Sequence, residues 1–305
     1  MPNYFAPALL AHHNGEIYAQ RVVWDSGLSQ YYLRLFRRGA QSAPGTAETL
    51  VWENGPLDLP TAWHSLFADK SGLLYRKYPS GEITRSKDDG LNWSVVSPPV
   101  FFVISEDETI EVSASDQMSY CPSGAGTVFI GHLAADPLLY FGIARYPGPP
   151  QPDSRFINKA LLSVDLAGQP TQGWVFQEPG GSTLLATNGA AFCALSGNDG
   201  RSWDDVSGQI FDPATYENFA LCLCPVGGGL AAMANAIGSN DVIFKRNPGA
   251  FKGTAWPADA IAAGTIGDSR MEFSLVQAAS GRFVALNSTA WARYSDNDGV
   301  NWGNW

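Results

Sequence analysis

The sequence predicts an all-β fold: one six-bladed β-propeller of four-stranded antiparallel blades spanning residues 1–305. Three observations carry this expectation. An octapeptide of the form Ser-x-Asp/Asn-Asp-Gly-x-Asn/Ser-Trp occurs at Ser86–Trp93, Ser196–Trp203 and Ser295–Trp302. Each copy follows a short strand-like run (Glu82–Ser86, Ala191–Leu195 and Ala290–Tyr294), so each caps a hairpin. The copies begin 110 and 99 residues apart. A four-stranded blade takes about 40–50 residues, so each interval holds two blades. One further blade fits ahead of Ser86, and the total is six.

Each position of the octapeptide has a stated chemistry. The third residue (Asp88, Asn198, Asn297) can accept from backbone N–H groups just ahead and tie a tight turn. The glycine (Gly90, Gly200, Gly299) supplies the positive φ that the turn needs. The tryptophan (Trp93, Trp203, Trp302) carries a large apolar surface between sheets, with an indole N–H to be satisfied.

In chain order, blade one reads as Tyr4–Ala11, Glu16–Val23, Tyr31–Phe36 and Thr49–Trp52, with His13–Gly15 as its first turn. Blade two reads as Trp63–Ala68, Leu73–Lys77, Glu82–Arg85 and Trp93–Val96. Residues 98–116 form a long connection with extra strands. Blade three begins near Met118 and carries Thr127–His132, a proline-rich surface loop around Pro147–Pro152, and outer strands Ala160–Val164 and Trp174–Gln177. Blade four runs from Ser182 to about Val206. Blade five runs from Phe219 to about Trp256, its octapeptide decayed to Arg246–Trp256. Blade six runs from Met271 to the last octapeptide, which leaves Gly303-Asn-Trp305 as a very short outer strand.

Composition agrees with many short strands: Gly 32, Pro 20, ten Trp and 16% charged residues. The formal charge of −10 argues against nucleic acid and anionic membrane as partners, since both call for a basic footprint. No apolar run approaches the roughly 18 residues of a membrane helix. The start, Met1–Pro7, lacks a basic stretch followed by an apolar one, so synthesis in the cytoplasm without a signal peptide is expected. Cys121, Cys193, Cys222 and Cys224 lie in apolar strand runs and read as buried free thiols. No metal spacing, phosphate loop, Gly-x-Ser-x-Gly or His-Glu-x-x-His is present, and no cofactor is expected.

The three octapeptides resemble the Asp-box, or bacterial neuraminidase repeat, of sialidase-like β-propellers. Blade one is loosely similar to the same family, whose first strand opens with aromatic-Arg-Ile-Pro-Ala/Ser-Leu. Tyr4-Phe-Ala-Pro-Ala-Leu9 keeps the aromatic, the proline and Ala-Leu, but Phe5 stands where the first arginine belongs. After Gly15–Arg21, Asp25 falls where the resemblance implies the acid/base aspartate. Sialidases hold the sialic acid carboxylate with three arginines and attack with a tyrosine backed by a glutamate. Near the start of blade six, where that tyrosine belongs, stands Arg270-Met-Glu-Phe-Ser-Leu275, and neither Glu272 nor Phe273 offers a phenol. Arg270 is a single guanidinium on the expected ligand face.

The octapeptides sit between the third and fourth strands, on the face opposite the one where propellers bind ligands. Their aspartates therefore read as turn chemistry. The ligand face collects Trp24, Asp25, Trp63, His64, Gln117, Tyr120, Tyr216, Glu217 and Arg270. Aromatics with sparse polar groups suit stacking on sugar rings or docking a protein loop; packing in the seams between blades is the competing reading.

The first expectation is a non-catalytic recognition or structural module that binds a glycan or a protein surface and assembles into a larger complex. A virion component such as a phage tail protein fits the missing leader. The second is a glycoside hydrolase with Asp25 as acid and Glu217 or Glu272 as its partner. The third is a scaffold whose short sixth blade takes a strand from a partner.

Overall fold

Short apolar runs punctuated by glycine turns fold as a series of four-stranded meanders. The computed structural model describes residues 9–57, 65–68, 73–77, 83–97, 101–104, 109–112, 118–123, 126–133, 140–146, 158–163, 174–178, 181–187, 193–198, 204–206, 210–265, 273–287 and 292–305. Among these residues there are six four-stranded antiparallel sheets and one two-stranded hairpin, every sheet built from consecutive strands.

Sheet I holds β1 (Leu9–His13), β2 (Glu16–Asp25), β3 (Gln30–Gly39) and β4 (Thr49–Leu57). Sheet II holds β5 (Ser65–Ala68), β6 (Leu74–Lys77), β7 (Ile83–Ser86) and β8 (Ser94–Ser97). The hairpin β9 (Phe101–Ile104) and β10 (Thr109–Val112) falls inside the long connection. Sheet III holds β11 (Met118–Ser123), β12 (Gly126–Leu133), β13 (Tyr140–Tyr146) and β14 (Asn158–Ser163). Sheet IV holds β15 (Trp174–Gln177), β16 (Leu184–Thr187), β17 (Cys193–Ser196) and β18 (Asp204–Asp205). Sheet V holds β19 (Tyr216–Leu223), β20 (Leu230–Ala236), β21 (Asp241–Asn247) and β22 (Ile261–Thr265). Sheet VI holds β23 (Phe273–Gln277), β24 (Phe283–Asn287), β25 (Ala292–Ser295) and β26 (Gly303–Asn304).

Three expected assignments are corrected. Trp174–Gln177 is the first strand of sheet IV, not an outer strand of the sheet before it. Tyr140–Tyr146, unassigned between Thr127–His132 and the proline-rich loop, is the third strand of sheet III and makes Asn158–Ser163 the fourth. Sheet V likewise reaches Thr265, because its fourth strand follows Trp256.

The sheets pack face to face. Leu230–Ala234 in β20 is buried on both faces, which explains its unbroken apolar run of mostly small residues. One cluster joins Cys222, Met233 and Phe244 of sheet V to Leu275 and Phe283 of sheet VI. Another joins Ile17 and Ala19 of sheet I to Val284 and Leu286 of sheet VI. First strands lie beside first strands: β1 contacts β5 and β23, β5 contacts β11, β11 contacts β15, and β19 contacts β23. Phe176 of β15 packs into the cluster of Phe219 and Leu221 from β19.

Candidate functional site

In an antiparallel meander the 1–2 and 3–4 turns share one end, and the start of strand one shares the other end with the 2–3 turn. The octapeptides occupy 3–4 turns of sheets II, IV and VI. Where fully described, two of them build the same network. The Ser86 hydroxyl donates to Asp88 Oδ1 (2.8 Å) and accepts from the Gly90 N–H (2.8 Å). Asp88 Oδ1 accepts from the Asn92 N–H (2.8 Å). Ser295, Asn297, Gly299 and Asn301 repeat these bonds at 3.0, 3.0 and 2.9 Å. The side chain thus reaches four residues ahead, further than the short-range tie expected. Left-handed backbone is needed at two positions, Asp89 with Gly90 and Asp298 with Gly299. In sheet IV, Ser196 donates to Asn198 in the same way (2.9 Å).

These turns are structural joints. Trp93 Nε1 donates to the Gly90 carbonyl at 2.9 Å and Trp302 Nε1 to the Gly299 carbonyl at 2.8 Å, so the turn satisfies its own indole. The Trp302 ring packs on Phe244 of sheet V, with centroids 5.2 Å apart. The Trp93 ring meets Trp52 of sheet I edge-on, and the buried Arg76 guanidinium lies 3.9 Å from one centroid and 4.1 Å from the other. The decayed sequence of sheet V fills the same place. A short 3₁₀ turn, Ala250–Lys252, buries Phe251, and Gly253 faces Leu195 and Val206 of sheet IV.

The opposite end carries the candidate site. On sheet I it is the β2–β3 tip, where Trp24 pairs across the hairpin with Tyr31 and Asp25 with Gln30. Asp25 Oδ1 accepts from the N–H groups of Gly27 (3.0 Å) and Leu28 (3.2 Å), closing the turn. Its Oδ2 accepts from Arg34 Nη2 at 2.9 Å, and Arg34 Nε donates to Glu53. The Arg34 hydrogen bond, and then the Leu28 N–H, hold the Asp25 carboxyl below the usual carboxylate range. Glu53 and then Asp25 raise Arg34, so this guanidinium is already neutralised by two carboxylates. Beside the pair, Trp24 is 49% exposed and Leu28 61%. The Trp24 ring rests against Tyr31, with centroids 4.7 Å apart.

On sheet V the same end holds Tyr216 and Glu217, at the start of β19. Tyr216 is half-buried against Phe211 (5.6 Å) and belongs to the core cluster there, which favours packing for this ring. A register shift separates Glu217 from Ala220, and Asn218 takes a left-handed φ of 54° within it. The irregularity turns polar groups together: Asn218 Nδ2 donates to Asn235 Oδ1 (2.7 Å), and Asn235 Nδ2 donates to Glu217 Oε1 (3.3 Å). Asn235 is fully buried.

The structure therefore brings Trp24 and Asp25 together on one tip, and Tyr216 and Glu217 together on one strand start in a different sheet. Phe5, Trp63, His64, Gln117, Arg270 and Glu272, and the side chain of Tyr120, lie outside the described residues. Sequence reasoning missed Arg34, Tyr31, Asn218 and Asn235. Tyr31 was findable, since it sits opposite Trp24 in any hairpin turning at 26–29. Nothing in the sequence distinguishes Arg34 from the other arginines of that strand.

Cys193, Cys222 and Cys224 are free and buried, and burial pushes the Cys222 thiol well up. Among the described residues no group of three or more His, Cys, Asp or Glu is placed to hold a metal ion. Among them, too, no helix is long and apolar enough to cross a membrane.

No protein-family model and no curated protein matches the chain. Among solved structures the chain is similar to the Hadza microbial sialidase Hz136, at 16% identity and a TM-score of 0.53. That likeness covers 92% of this chain and 62% of the sialidase, so the chain spans less than two thirds of that protein's length. A more distant likeness, at 13% identity and a TM-score of 0.47, is to YCF48 bound to D1 peptide, over 81% of this chain and 71% of that one. With its antiparallel sheets, the likeness to the sialidase shows the fold alone: the chain has a sialidase-like β-propeller architecture.

Proposed function

We propose that the six sheets close as the blades of a single ring over residues 1–305. Its Gly–Trp turns are Asp-boxes, and the ring serves as a non-catalytic recognition or structural module. Closure is supported by the run of first strands from β1 through β5, β11 and β15, with β19 beside β23 and β23 beside β1. The ring binds a glycan or a protein surface at the mouth opposite the Gly–Trp turns.

One observation carries the non-catalytic reading. The carboxylate at the position that the resemblance gives to the acid/base is spent on a turn and an arginine. A general acid needs a pKa near the working pH, raised by burial or by a like charge. Asp25 has the reverse environment: Arg34 and two backbone N–H groups stabilise its charged form. Next to it an exposed indole offers an apolar face for stacking.

The test is a panel of 4-methylumbelliferyl glycosides, sialoside included, with Asp25→Asn as control. No turnover above the Asp25→Asn background is expected. Hydrolysis that disappears in Asp25→Asn would end this reading in favour of a glycoside hydrolase.

A further inference from the structure

Two joints between neighbouring sheets share one arrangement, and the joint between sheets I and VI repeats it with different chemistry. At those two joints the 1–2 end of one sheet meets the 3–4 turn of the next. Asn14, in the β1–β2 turn of sheet I, donates to Asp89 in the octapeptide of sheet II (3.3 Å). In sheet V, Arg246 spans the carbonyls of Val226 (2.8 Å) and Gly228 (3.2 Å) in the β19–β20 turn and pairs with Asp298 in the octapeptide of sheet VI. The fourth residue of the octapeptide, Asp89 or Asp298, receives the tether both times.

Sheets I and VI are not consecutive in the chain, and the 3–4 turn of sheet I, from Ala40 to Glu48, has no octapeptide. Among the described residues no strand is exchanged across this joint, and each of the two sheets is built from its own four strands. What crosses is Arg282, at the β23–β24 turn. Its Nη1 donates to the carbonyls of Ala40 (3.1 Å) and Ser42 (3.0 Å) in sheet I. Its Nε and Nη2 fork onto Asp296 (2.6 and 2.8 Å), the second residue of sheet VI's octapeptide. The guanidinium lies over the Tyr294 ring at 4.8 Å, and the residue is only 9% exposed. Around it Gln41 donates to Ser280, and the Arg38 guanidinium stacks on Trp305 at 4.4 Å.

We propose that Arg282 is the latch that closes the ring, joining the first and last sheets by a side-chain clasp instead of a shared strand. The inference rests on the ring reading given under Proposed function. A planar fork suits the position because it engages one carboxylate bidentately while a third nitrogen faces the neighbouring sheet. Burial keeps water from competing for the two carbonyls. Asp296 anchors the fork, so the octapeptide of sheet VI holds both neighbours: sheet V through Asp298 and sheet I through Asp296 with Arg282.

Native-state hydrogen exchange on the full chain tests the latch. The readouts are the amides of Ala40 and Ser42, which donate to the carbonyls of Gly15 and Gly39 (both 2.9 Å). In Arg282→Ala these amides are expected to exchange about tenfold faster or more, as loss of charge-assisted hydrogen bonds implies. Arg246→Ala is expected to speed exchange around 225–229 and 297–300 and leave Ala40 and Ser42 unchanged. If Arg282→Ala does not fold, Arg282→Lys replaces it, with the same direction expected because one ammonium cannot hold a carboxylate fork and two carbonyls. Unchanged exchange at Ala40 and Ser42 in the Arg282 variant overturns the latch. Equal acceleration there by Arg246→Ala overturns it too.

The ring itself is tested by cross-linking a Gln41→Cys/Ser280→Cys pair with a short bismaleimide. No cross-link defeats the ring reading and the latch together. A cross-link combined with unchanged exchange defeats the latch alone.

Discussion

The turn from Ser295 to Trp302 and the tip from Trp24 to Gln30 are made of similar parts and do opposite things. Both close with an Asx side chain accepting backbone N–H groups, and both carry a tryptophan at one edge. At the first, the indole N–H returns to Gly299 and the ring is wedged against Phe244 and Phe283. At the second, the indole stands half in solvent, with Tyr31 as its ring neighbour. The turn is therefore a joint on which stability depends. The tip carries an aromatic surface that the fold does not consume, and recognition has room there.

The largest effect that could break this contrast is at Gly299. Its φ is 84°, and a Cβ there would overlap the Phe244 ring. Gly299→Ala is expected to lower the unfolding free energy by about 3 kcal/mol, from the backbone conformation and the overpacking together. Gly15→Ala shares the positive φ (77°) but meets nothing within 4 Å, and should cost about 1 kcal/mol. Urea titrations of the two variants read the difference; equal losses would mean that the joint is not tightly packed.

A second prediction sharpens the likeness between the two joints by pH. Asp88 is held below the ordinary carboxylate range by the Asn92 side-chain amide, then the Asn92 backbone N–H and the Ser86 hydroxyl. A depressed folded-state pKa contributes stability above the unfolded value, and that contribution is lost as pH falls through the folded one. Asn297 makes the corresponding bonds and cannot titrate. Below about pH 4, the unperturbed aspartate value, the Asn92 amide should lose exchange protection while Asn301 keeps it, after correction for intrinsic rates. Asp88→Asn should abolish that difference. Parallel loss at both turns would point to global unfolding instead.

The smallest stability effect belongs to the tip. Trp24→Ala should change the unfolding free energy by no more than about 0.5 kcal/mol, as exposed positions do. The same variant should weaken capture of any glycan or protein that the wild type binds. A loss of several kcal/mol would return Trp24 to the core and remove the tip as a recognition surface.

Much of sheets I, II and VI was legible because their hairpins are punctuated by glycine and Asx turns that act over a few residues. β6, for instance, begins at Leu74, one residue from its expected start. The strand Trp174–Gln177 was also seen, but given to the wrong sheet. Alternation reports that a segment is extended, not which sheet it joins, and β13 fills the place between β12 and β14 that completes sheet III without it. At the candidate site, Asp25 was singled out while Arg34, which decides its charge state, was not. Arg34 stands opposite Arg21 in the register and meets Asp25 by a diagonal reach along the hairpin, not by a spacing that a motif could show.

By itself the amino-acid sequence determined the turns, since positive-φ glycines and Asx hydrogen bonds select a backbone conformation within five residues. Only the tertiary structure decided how the sheets are joined. Asn14 meets Asp89 across 75 positions and Arg282 meets Ala40 across 242. Such pairings follow from the packing of whole sheets, where burial makes an arginine worth holding, and no local pattern encodes them.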